Sequence, residues 1–438
     1  MQSRYSYEAR PRALVRMDLY SEFEWREMLS DGTDGVREAL AGAPLTGYIG
    51  FDPTASSLHV GSLLTVMGLA RLQRFGHTPI AIVGGGTGMI GDPSGKSQER
   101  VLLSREQIET NVAGIRSQLE RFLDFGTTRN AARIANNADW LGAVDVLSFL
   151  RDVGKHFTVN YMLQKESVSR RLDSADGISY TEFSYLVLQA YDFLQLFDRY
   201  GCALQMGGSD QWGNITAGIE LIRKVRGKKA HGLVWPLMKT ASGVKFGKTE
   251  AGAVWLDPAR TSPFHFYQFW LNTDDVDVVR YLKVFTFLSR DTIEGLARAT
   301  AEAPERRDAQ RTLAREVTAL VHGPDHVARA ERAAAVLFSE QVTSADVSDV
   351  LMVFADAPST DLALPQDGMP LVDLIATVKL AASKSEAARL VKSGGIYVNN
   401  IRATDERARL TVADAIGGQV ILLRKGRKDQ HVVKVRRG

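Results

Sequence analysis

The sequence predicts an α/β fold in which a doubly wound parallel sheet is followed by an all-α domain and a small α+β domain. In the first half, short apolar runs alternate with amphipathic stretches, the pattern of parallel strands joined by crossover helices. The predicted strands are Tyr48–Phe51, Pro79–Gly84, Arg133–Asn136 and Ala203–Gly207, and the clearest predicted helices are Leu63–Phe75 and Glu182–Phe197. Ligands of such sheets bind outside the carboxyl ends of the strands.

The second half changes character twice. From Ser262 to about Leu351 the pattern is helical and charged, which predicts the all-α domain. Residues 356–370 contain three prolines and neither lysine nor arginine, which favours a linker. The final module is predicted from a capping box at Ser383-Lys384-Ser385-Glu386, a helix ended by Gly394-Gly395, a strand at Ile396–Val398, a turn at Asn399-Asn400 and a strand at Gln419–Leu423.

These patterns divide the chain into five segments. We predict a flexible extension at residues 1–16, a Rossmann-like sheet domain at 17–240, a helical domain at 241–355 that begins with a Lys-rich loop, a linker at 356–370 and a final domain at 371–438. The extension is rich in arginine and lacks periodicity, so Met17 is an alternative start of the protein.

Composition indicates a multi-domain protein of a reducing compartment. The 438 residues are 45% hydrophobic, enough for two or three buried cores. Cys202 is the one cysteine, which excludes an internal disulfide. No apolar run reaches the ~18 residues of a membrane span, and the first 16 residues lack the apolar core of a signal peptide. The expectation is a soluble, cytoplasmic protein.

The net charge of +3 hides an asymmetry between the two ends of the chain. From Lys379 onward there are 14 lysines and arginines against 5 acidic residues, and the preceding residues carry an acidic excess. Such a basic segment is typical of nucleic-acid binding, because protein cations replace the counterions condensed on phosphates. A merely solubilising terminus remains the alternative on charge alone.

Two motifs indicate an ATP site for nucleotidyl transfer. Gly50–Ser62 reads as a strand, a loop and the start of a helix at His59-Val60-Gly61, and Lys245-Phe246-Gly247-Lys248-Thr249 follows far downstream. Attack on the α-phosphate places negative charge on oxygens that fixed donors stabilise, and Thr54, His59, Lys245 and Lys248 are suitable donors. Gly61 would let a purine lie against the helix backbone. Each motif alone also fits a packing glycine or a solvated turn, but together they indicate a site.

The glycine-rich segment Gly84–Lys96 follows the second predicted strand. It has neither the Walker spacing nor the dinucleotide fingerprint, so we do not interpret it as a P-loop or a nicotinamide or flavin site. No dedicated protein site for a metal is evident, and magnesium is expected with ATP.

Several longer motifs resemble those of bacterial tyrosyl-tRNA synthetases, in the same order and along the chain from Met17. They are Tyr48–Thr54, Gly91-Asp92-Pro93-Ser94-Gly95-Lys96, Tyr185 through Tyr191-Asp192, Gly207–Asn214 and Lys245–Thr249. The tail from Leu371 is similar to the RNA-binding domain of ribosomal protein S-four. The resemblance implies a class I synthetase fold, homodimerisation, and two steps: tyrosine and ATP give tyrosyl-adenylate and pyrophosphate, and the adenylate then acylates tRNA(Tyr).

The resemblance also implies roles for particular residues. The phenol hydroxyl of tyrosine would be bound by Tyr48 and Asp192, its ammonium group by Asp92, Tyr185 and Gln189, and its carboxylate near Gln211. Thr54 and His59 would stabilise the reacting phosphorus, with pyrophosphate held by the loop residues Lys96, Arg100, Lys245, Lys248 and Thr249. ATP would further contact Gly50, Asp52, Gly61, Ser62, Gly208, Asp210, Leu237 and Met238, and tRNA would contact Lys384, Arg389, Lys392, Asn399 and Arg402.

Plainer interpretations stay open at this stage. Tyr185 and Asp192 share one face of a predicted helix, where a core tyrosine and a capped carboxylate are ordinary, and Asp210 could be an N-cap. Ser62 replaces the second histidine of many relatives, and Ile49 replaces a small polar residue. Rival functions are a tryptophanyl counterpart, a non-catalytic RNA-binding paralogue and a cytidylyltransferase-type adenylating enzyme. The phenol-binding pair disfavours the tryptophanyl counterpart, and the retained pyrophosphate ligands disfavour a non-catalytic paralogue. The basic tail disfavours the cytidylyltransferase-type enzyme.

Overall fold

The computed structural model describes residues 18–94, 103–126, 128–172, 177–243, 246–249, 252–338, 346–354, 357–426 and 429–436. The chain folds into two compact units. The first comprises Met1–Asp257 and Thr273–Leu313, and the second comprises Pro258–Asn272 and Ala314–Gly438.

The described strands and helices are numbered in chain order. The strands are β1 Asp31–Gly32, β2 Thr46–Phe51, β3 Thr78–Val83, β4 Arg133–Asn136, β5 Cys202–Gly208, β6 His231–Trp235, β7 Lys248–Thr249, β8 Gly252–Ala253, β9 Ser359–Ala363, β10 Met369–Pro370, β11 Ile396–Val398, β12 Ile401–Ala403, β13 Arg409–Leu410, β14 Val420–Lys425 and β15 Asp429–Arg436. The helices are α1 Leu19–Trp25, α2 Val36–Ala41, α3 Leu63–Arg74, α4 Arg105–Leu119, α5 Ala138–Leu141, α6 Val146–Asp152, α7 Val159–Leu163, α8 Glu166–Leu172, α9 Tyr180–Tyr200, α10 Trp212–Arg226, α11 Pro263–Leu271, α12 Asp275–Phe285, α13 Arg290–Glu302, α14 Asp308–His322, α15 Pro324–Phe338, α16 Val347–Val353, α17 Leu371–Thr377 and α18 Lys384–Lys392.

The first unit is built on a six-stranded sheet with the order β1-β6-β5-β2-β3-β4. All neighbouring strands are parallel except β1, which is antiparallel to β6. The chain leaves β2 toward β3 on one side and returns to β5 on the other, so the strand order reverses between β2 and β5. Because ligands bind at such a reversal, the confirmed doubly wound fold places the expected site beyond the ends of β2 and β5.

The core of this unit lies where α9 and α10 pack against the sheet. Its buried members include Tyr48 and Ile80 from the sheet and Phe193 and Leu221 from the two helices. The Phe193 ring meets the Tyr48 ring edge-on, with centroids 5.2 Å apart. Tyr48 is therefore held rigidly by its ring, which fixes the position of its hydroxyl group.

Two buried arginines bind the carboxyl end of α12. Arg71, which is 1% exposed, donates to the carbonyl of Thr286 at 2.7 Å and to that of Lys283 at 3.1 Å. Arg26 donates to the carbonyls of Lys283 at 2.7 Å and Leu288 at 2.9 Å. Burial and the neighbouring Arg26 lower the pKa of Arg71 well below its usual value. The last carbonyl groups of a helix have no donor within the helix, and the two arginines supply donors to carbonyls at and just after the end of α12. They thereby join α1 and α3 to α12.

The second unit has helices α11, α15 and α16 and a final module with a five-stranded sheet. Between Pro263 and Val353, a stretch that is divided between the two units, the described residues form helices and connecting segments without a strand, as predicted. The sheet order is β12-β11-β14-β15-β9, and α17 and α18 pack on it around Leu374, Val391 and Ile396. The fold prediction of helices followed by a small α+β domain is confirmed.

The expected linker at 356–370 is wrong over part of its length. Ser359–Ala363 forms β9, which runs parallel to β15 at the edge of the sheet, with Val433 opposite Thr360. Its residues alternate between exposed and half-buried, and its first three residues are polar. The strand therefore has no continuous apolar run. Edge strands need only one paired side and tolerate nearby prolines, which explains why composition alone misled.

Local signals in the final module are otherwise mostly confirmed. Asn399 and Asn400 have φ of 49° and 65° and join β11 to β12 in the two-residue turn that such backbone angles favour. Ser383 caps α18 by accepting from the amide of Glu386. The reciprocal bond of a capping box differs, because the Glu386 carboxylate accepts from the amide of Ala382. Across the described ranges, the helices include none with the length and apolar character of a membrane span.

Candidate active site

The segment after β2 begins the candidate site. Asp52 follows the strand directly, and its carboxylate accepts from the hydroxyl of Tyr185 at 2.9 Å and from that of Thr87 at 3.1 Å. Thr54 is exposed, and His59 immediately precedes a short turn of 3-10 helix that leads into α3. Asp52 therefore connects β2, the glycine-rich segment after β3, and α9.

The two motifs that predict ATP binding meet in the structure. Val60 donates its amide to the carbonyl of Val254 at 2.9 Å, and Leu256 donates to Leu58 at 2.9 Å. Gly247 has φ of 86°, and a Cβ atom there would stand 3.0 Å from the amide nitrogen of Gly61. Only glycine fits both the backbone angle and the close approach. The predicted pairing of these distant segments is thus realised as backbone contact.

An aromatic cluster anchors the second motif. The buried Phe246 ring stacks on Phe285 with centroids 5.2 Å apart and meets the Tyr281 ring edge-on at 4.9 Å. Both partners belong to α12, the helix that Arg26 and Arg71 bind. Lys245 lies outside the described residues, and for Lys248 and Thr249 the description covers the backbone of β7, which pairs with β8.

A polar network joins the glycine-rich segment to α9 and α10. The Asp92 carboxylate is buried and accepts from Gln211 at 2.8 Å and from the amide of Ser94 at 2.9 Å. The side-chain oxygen of Gln211 accepts from Gln189 at 3.2 Å and from Asn214 at 3.1 Å. The structure therefore brings together Asp92, Gln189 and Gln211, which the sequence assigns to one ligand, and adds Asn214.

Helix α9 presents Tyr185, Gln189 and Asp192 on one face, as their spacing predicts. Its first turn is fixed by a buried ion pair between Glu182 and Arg171 at 2.9 Å. The Ser179 hydroxyl caps the same turn, because it accepts a hydrogen bond from the amide of Glu182 that has no partner within the helix. The face that carries the three polar residues is consequently held in place at its start.

Asp192 and Tyr48 are both buried polar residues of the site. The Asp192 carboxylate, 3% exposed, accepts from the indole of Trp140 at 2.7 Å and from Asn137 at 2.9 Å. Burial raises the pKa of Asp192 to about 7, although the two hydrogen bonds act in the opposite direction. The Tyr48 hydroxyl is buried without a hydrogen-bond partner among the described residues. Burial and the Asp192 charge raise the pKa of Tyr48 well above its usual value.

A buried hydroxyl without a hydrogen-bond partner is costly unless a ligand forms the missing hydrogen bond. A ligand group that both donates and accepts, such as another hydroxyl, fits this requirement, since the phenol of Tyr48 donates and the carboxylate accepts. Asn137 and Trp140 have no predicted role in the sequence, although their position directly after β4 at the carboxyl edge of the sheet is a usable signal.

The remaining predicted ATP contacts lie around the ends of β2, β5 and β6. A Cβ at Gly50 would meet open space, and Gly208 ends β5 beside Asp210 in the turn that leads to α10. Leu237 is half exposed and Met238 is buried just after β6. Ser62 accepts through its carbonyl from the Thr65 hydroxyl at 2.6 Å. Lys96 and Arg100 lie outside the described residues.

The residues predicted to contact RNA belong to the final module and do not all suit that role. Lys384, Arg389, Lys392 and Arg402 are exposed on or beside α18. Asn399 is instead 3% exposed, donates to the carbonyl of Asp414 at 2.7 Å and accepts from the amide of Leu422 at 2.9 Å. Because both ends of its amide hold the turn together, the prediction that Asn399 contacts RNA is corrected to a structural role.

No group of three or more His, Cys, Asp or Glu side chains that could hold a metal ion occurs within the residues that the structure describes. The polar groups of the site are carboxylates, amides, hydroxyls and one imidazole at the edge of a parallel sheet. Such donors and acceptors suit an organic ligand that carries a hydroxyl, an amine and phosphates.

Two family models match the chain. The model described as tRNA synthetases class I (W and Y) matches residues 40–339, and the tyrosine–tRNA ligase SYY-like C-terminal domain matches residues 349–433. Among curated relatives, tyrosine–tRNA ligase of Roseiflexus castenholzii is 56% identical over 95% of this chain and 99% of its own length. That of Geobacillus stearothermophilus is 51% identical over 95% of this chain and 100% of its own.

Solved structures give the same grouping. A C-terminally truncated mitochondrial tyrosyl-tRNA synthetase of Aspergillus nidulans superposes with a TM-score of 0.67 at 31% identity, covering 74% of this chain and 95% of its own. A tyrosyl-tRNA synthetase of Archaeoglobus fulgidus, solved with L-tyrosine, has a TM-score of 0.53 at 16% identity and covers 71% of this chain and 100% of its own. The second similarity speaks for the fold alone.

Proposed function

Because the chain belongs to the tyrosyl-tRNA synthetase family, we propose that Tyr48 and Asp192 recognise the phenol hydroxyl of its tyrosine substrate. The chain is a tyrosine–tRNA ligase: tyrosine and ATP give tyrosyl-adenylate and pyrophosphate, and the tyrosyl group then passes to the 3′ end of tRNA(Tyr). The observation that carries the residue assignment is the buried hydroxyl of Tyr48, which has no hydrogen-bond partner among the described residues and whose pKa is raised by burial and by the Asp192 charge.

Specificity for tyrosine follows from unsatisfied hydrogen bonds. A bound tyrosine would donate its phenol proton to Asp192 and accept from Tyr48, so all three polar groups would be paired. A bound phenylalanine would leave the Tyr48 hydroxyl buried without a partner and Asp192 with one acceptor site unused. Each such loss costs about 1–3 kcal/mol. This penalty discriminates between the two amino acids without a second, editing site.

The network around Asp92 suits the other end of the amino acid. Its carboxylate is buried and would attract an ammonium group, while the linked amides of Gln189 and Gln211 offer both donors and acceptors. The Tyr185 hydroxyl, fixed by Asp52, lies at the same edge of the sheet. We assign the ammonium group to Asp92, Tyr185 and Gln189, and the carboxylate to the vicinity of Gln211.

ATP is assigned to the region where the two motifs meet. His59 and Thr54 would donate to the α-phosphate as charge develops in the transition state, and Gly61 would allow the purine to approach the backbone. Pyrophosphate would be held by Lys96, Arg100, Lys245, Lys248 and Thr249. We expect magnesium to enter bound to ATP, because this ion prefers substrate phosphates and water to a full protein cage.

Exchange of labelled pyrophosphate into ATP, measured with each of the amino acids, tests the assignment. Tyrosine alone should support rapid exchange. Exchange with tryptophan, with another amino acid or with none would contradict it and favour a rival function.

Two variants then address specificity. Asp192→Ala and Tyr48→Phe should raise activity with phenylalanine relative to tyrosine while the KM for ATP changes little. Tyr20→Phe removes a hydroxyl from α1 as a matched control. Equal losses with both amino acids and with ATP would refute the recognition role.

We propose that the exposed cations of the final module bind tRNA(Tyr). Lys384, Arg389, Lys392 and Arg402 lie at or near α18 and belong to the segment with the large basic excess. Phosphate neutralisation by such cations makes binding depend strongly on salt. Filter binding at increasing salt gives the slope of the logarithm of the tRNA-binding constant against the logarithm of the salt concentration. This slope should become less steep in Lys392→Ala.

We also propose that the protein is a homodimer whose contact face is formed by α6 to α8. Several large apolar side chains are exposed there, among them Leu147 at 75% and Val159 at 60%. Such a concentration of apolar surface is typical of an interface, and a second copy of the chain is the occupant we propose. Leu147→Asp should yield monomers in sedimentation experiments. Val276→Asp, which alters an equally exposed residue of α12, is the control.

A cytoplasmic location is our proposal as well. Cys202 is buried and unpaired, as expected for a protein of a reducing compartment. Fractionation of cells that express the chain should place it with soluble proteins of the cytoplasm.

A further inference from the structure

The imidazole of His59 lies between a glycine and a tryptophan. A Cβ atom at Gly61 would stand only 2.7 Å from Cε1 of the His59 ring, so the ring covers the backbone of Gly61. The indole of Trp255 meets the ring edge-on, with centroids 6.0 Å apart and planes inclined at 70°. This geometry is a favoured one for two aromatic rings.

The backbone keeps the two rings in register. His59 and Trp255 are directly opposite each other as an antiparallel bridge pair. The neighbouring hydrogen bonds, from Val60 to Val254 and from Leu256 to Leu58, are both 2.9 Å long. Residues directly opposite in an antiparallel pair have Cβ atoms close together, so the contact of the side chains is a consequence of this pairing.

Trp255 is also joined to the second ATP motif. The chain runs from Gly247 through β7 and β8 to Val254, whose amide donates to the carbonyl of Gly247 at 3.3 Å. Trp255 follows directly. The same short segment therefore carries both the Lys-rich motif and the tryptophan that contacts His59.

We propose that Trp255 is a positioning residue for the first reaction step, acting through the imidazole of His59. This rests on the proposed role of His59 at the α-phosphate. The indole restricts the rotation of the imidazole and holds its donor nitrogen where phosphate charge develops. Since a displacement of about 1 Å at a reacting centre can lower a rate by about 100-fold, loss of the indole has a measurable effect.

The expected result for Trp255→Ala is a fall of about 10- to 100-fold in kcat for pyrophosphate exchange. The KM for tyrosine should not change, because Tyr48, Asp92 and Asp192 lie on other elements. Trp255→Phe keeps an aromatic edge against His59 and should recover most of the rate.

A double-mutant cycle with His59→Asn separates positioning from general structure. If Trp255 acts through His59, Trp255→Ala should reduce kcat little further once His59 is replaced. Trp25→Ala removes a half-buried indole from α1 and serves as the matched control, with melting temperatures measured for every variant.

Each outcome decides a separate point. Additive losses in the double variant, or an unchanged kcat in Trp255→Ala, would overturn the positioning role. The same loss of kcat in Trp25→Ala at an equal fall in melting temperature would also overturn it. Unchanged exchange in His59→Asn would refute the proposed role of His59 itself, and the inference about Trp255 would fall with it.

Discussion

The ionisation of Asp192 gives the protein a pH-dependent stability that can be worked out from the structure. Burial raises the pKa of this carboxyl from 3.8 to about 7 in the folded chain. Between these values the folded state retains a proton that the unfolded state has released. Stability therefore falls as pH rises through this range and levels off above pH 7.

The size of the effect follows from the two pKa values. By linkage, the ionisation of this group lowers the free energy of unfolding by about 2.5 kcal/mol between pH 5 and pH 8. Asp192→Asn cannot titrate, so its unfolding free energy should lack this component of the pH dependence. Asparagine also offers one acceptor where Trp140 and Asn137 need two, so the variant should be less stable at pH 5.

The measurement is urea unfolding at pH 5 and pH 8, followed by tryptophan fluorescence, for the native chain and Asp192→Asn. Asp198→Asn is the control, because this carboxylate lies at the surface of the same helix and pairs with Arg226 at 2.8 Å. It should leave the pH dependence unchanged. An identical pH dependence in the native chain and Asp192→Asn would refute the argument.

Three further predictions concern other parts of the chain. Arg71→Met should lower the unfolding free energy by about 1–3 kcal/mol, because the carbonyls of Thr286 and Lys283 each lose one of their two arginine donors; the exposed Arg74→Met should have a small effect in the same urea experiment. Gly247→Ala should lower kcat for pyrophosphate exchange, since an added Cβ meets Gly61, whereas Gly252→Ala, where φ is also positive but the space is open, should lower it less. Deletion of residues 358–438 should preserve exchange and abolish tRNA charging; loss of both activities would show that the tail is needed for the fold.

The choice of residue 358 reflects what the sequence could not predict. A cut at the predicted boundary of 371 would leave β9 without β15. The central parallel strands were predictable because buried strands carry continuous apolar runs, as Pro79–Gly84 does. β9 and the two-residue β1 lack this signal, since an edge strand is defined by its partner.

In the candidate site, too, features that depend on local sequence pattern were predictable, and features that depend on contacts between distant residues were not. The ordered motifs predicted that the segments around His59 and Phe246 would meet, and the polar residues of α9 were predictable from helical spacing. Trp255 could not be assigned, because its role depends on a contact with a residue far away in sequence. For Asn137 and Trp140 the position after β4 indicates the site, but their hydrogen bonds to Asp192 are evident from the structure alone. The resemblance assigned Asn399 to RNA, and only the structure shows that its buried amide donates to Asp414 and accepts from Leu422.

The contact of Gly61 with Gly247 has a consequence for the order in which activity can arise during synthesis. The nucleotide site needs two segments widely separated along the chain, and contacts of such long range form late because a large loop must close. A nascent fragment that ends before Val254 has no strand to pair with Val60. Translation products that end before Val254 therefore cannot complete the nucleotide site, however well their central sheet has folded.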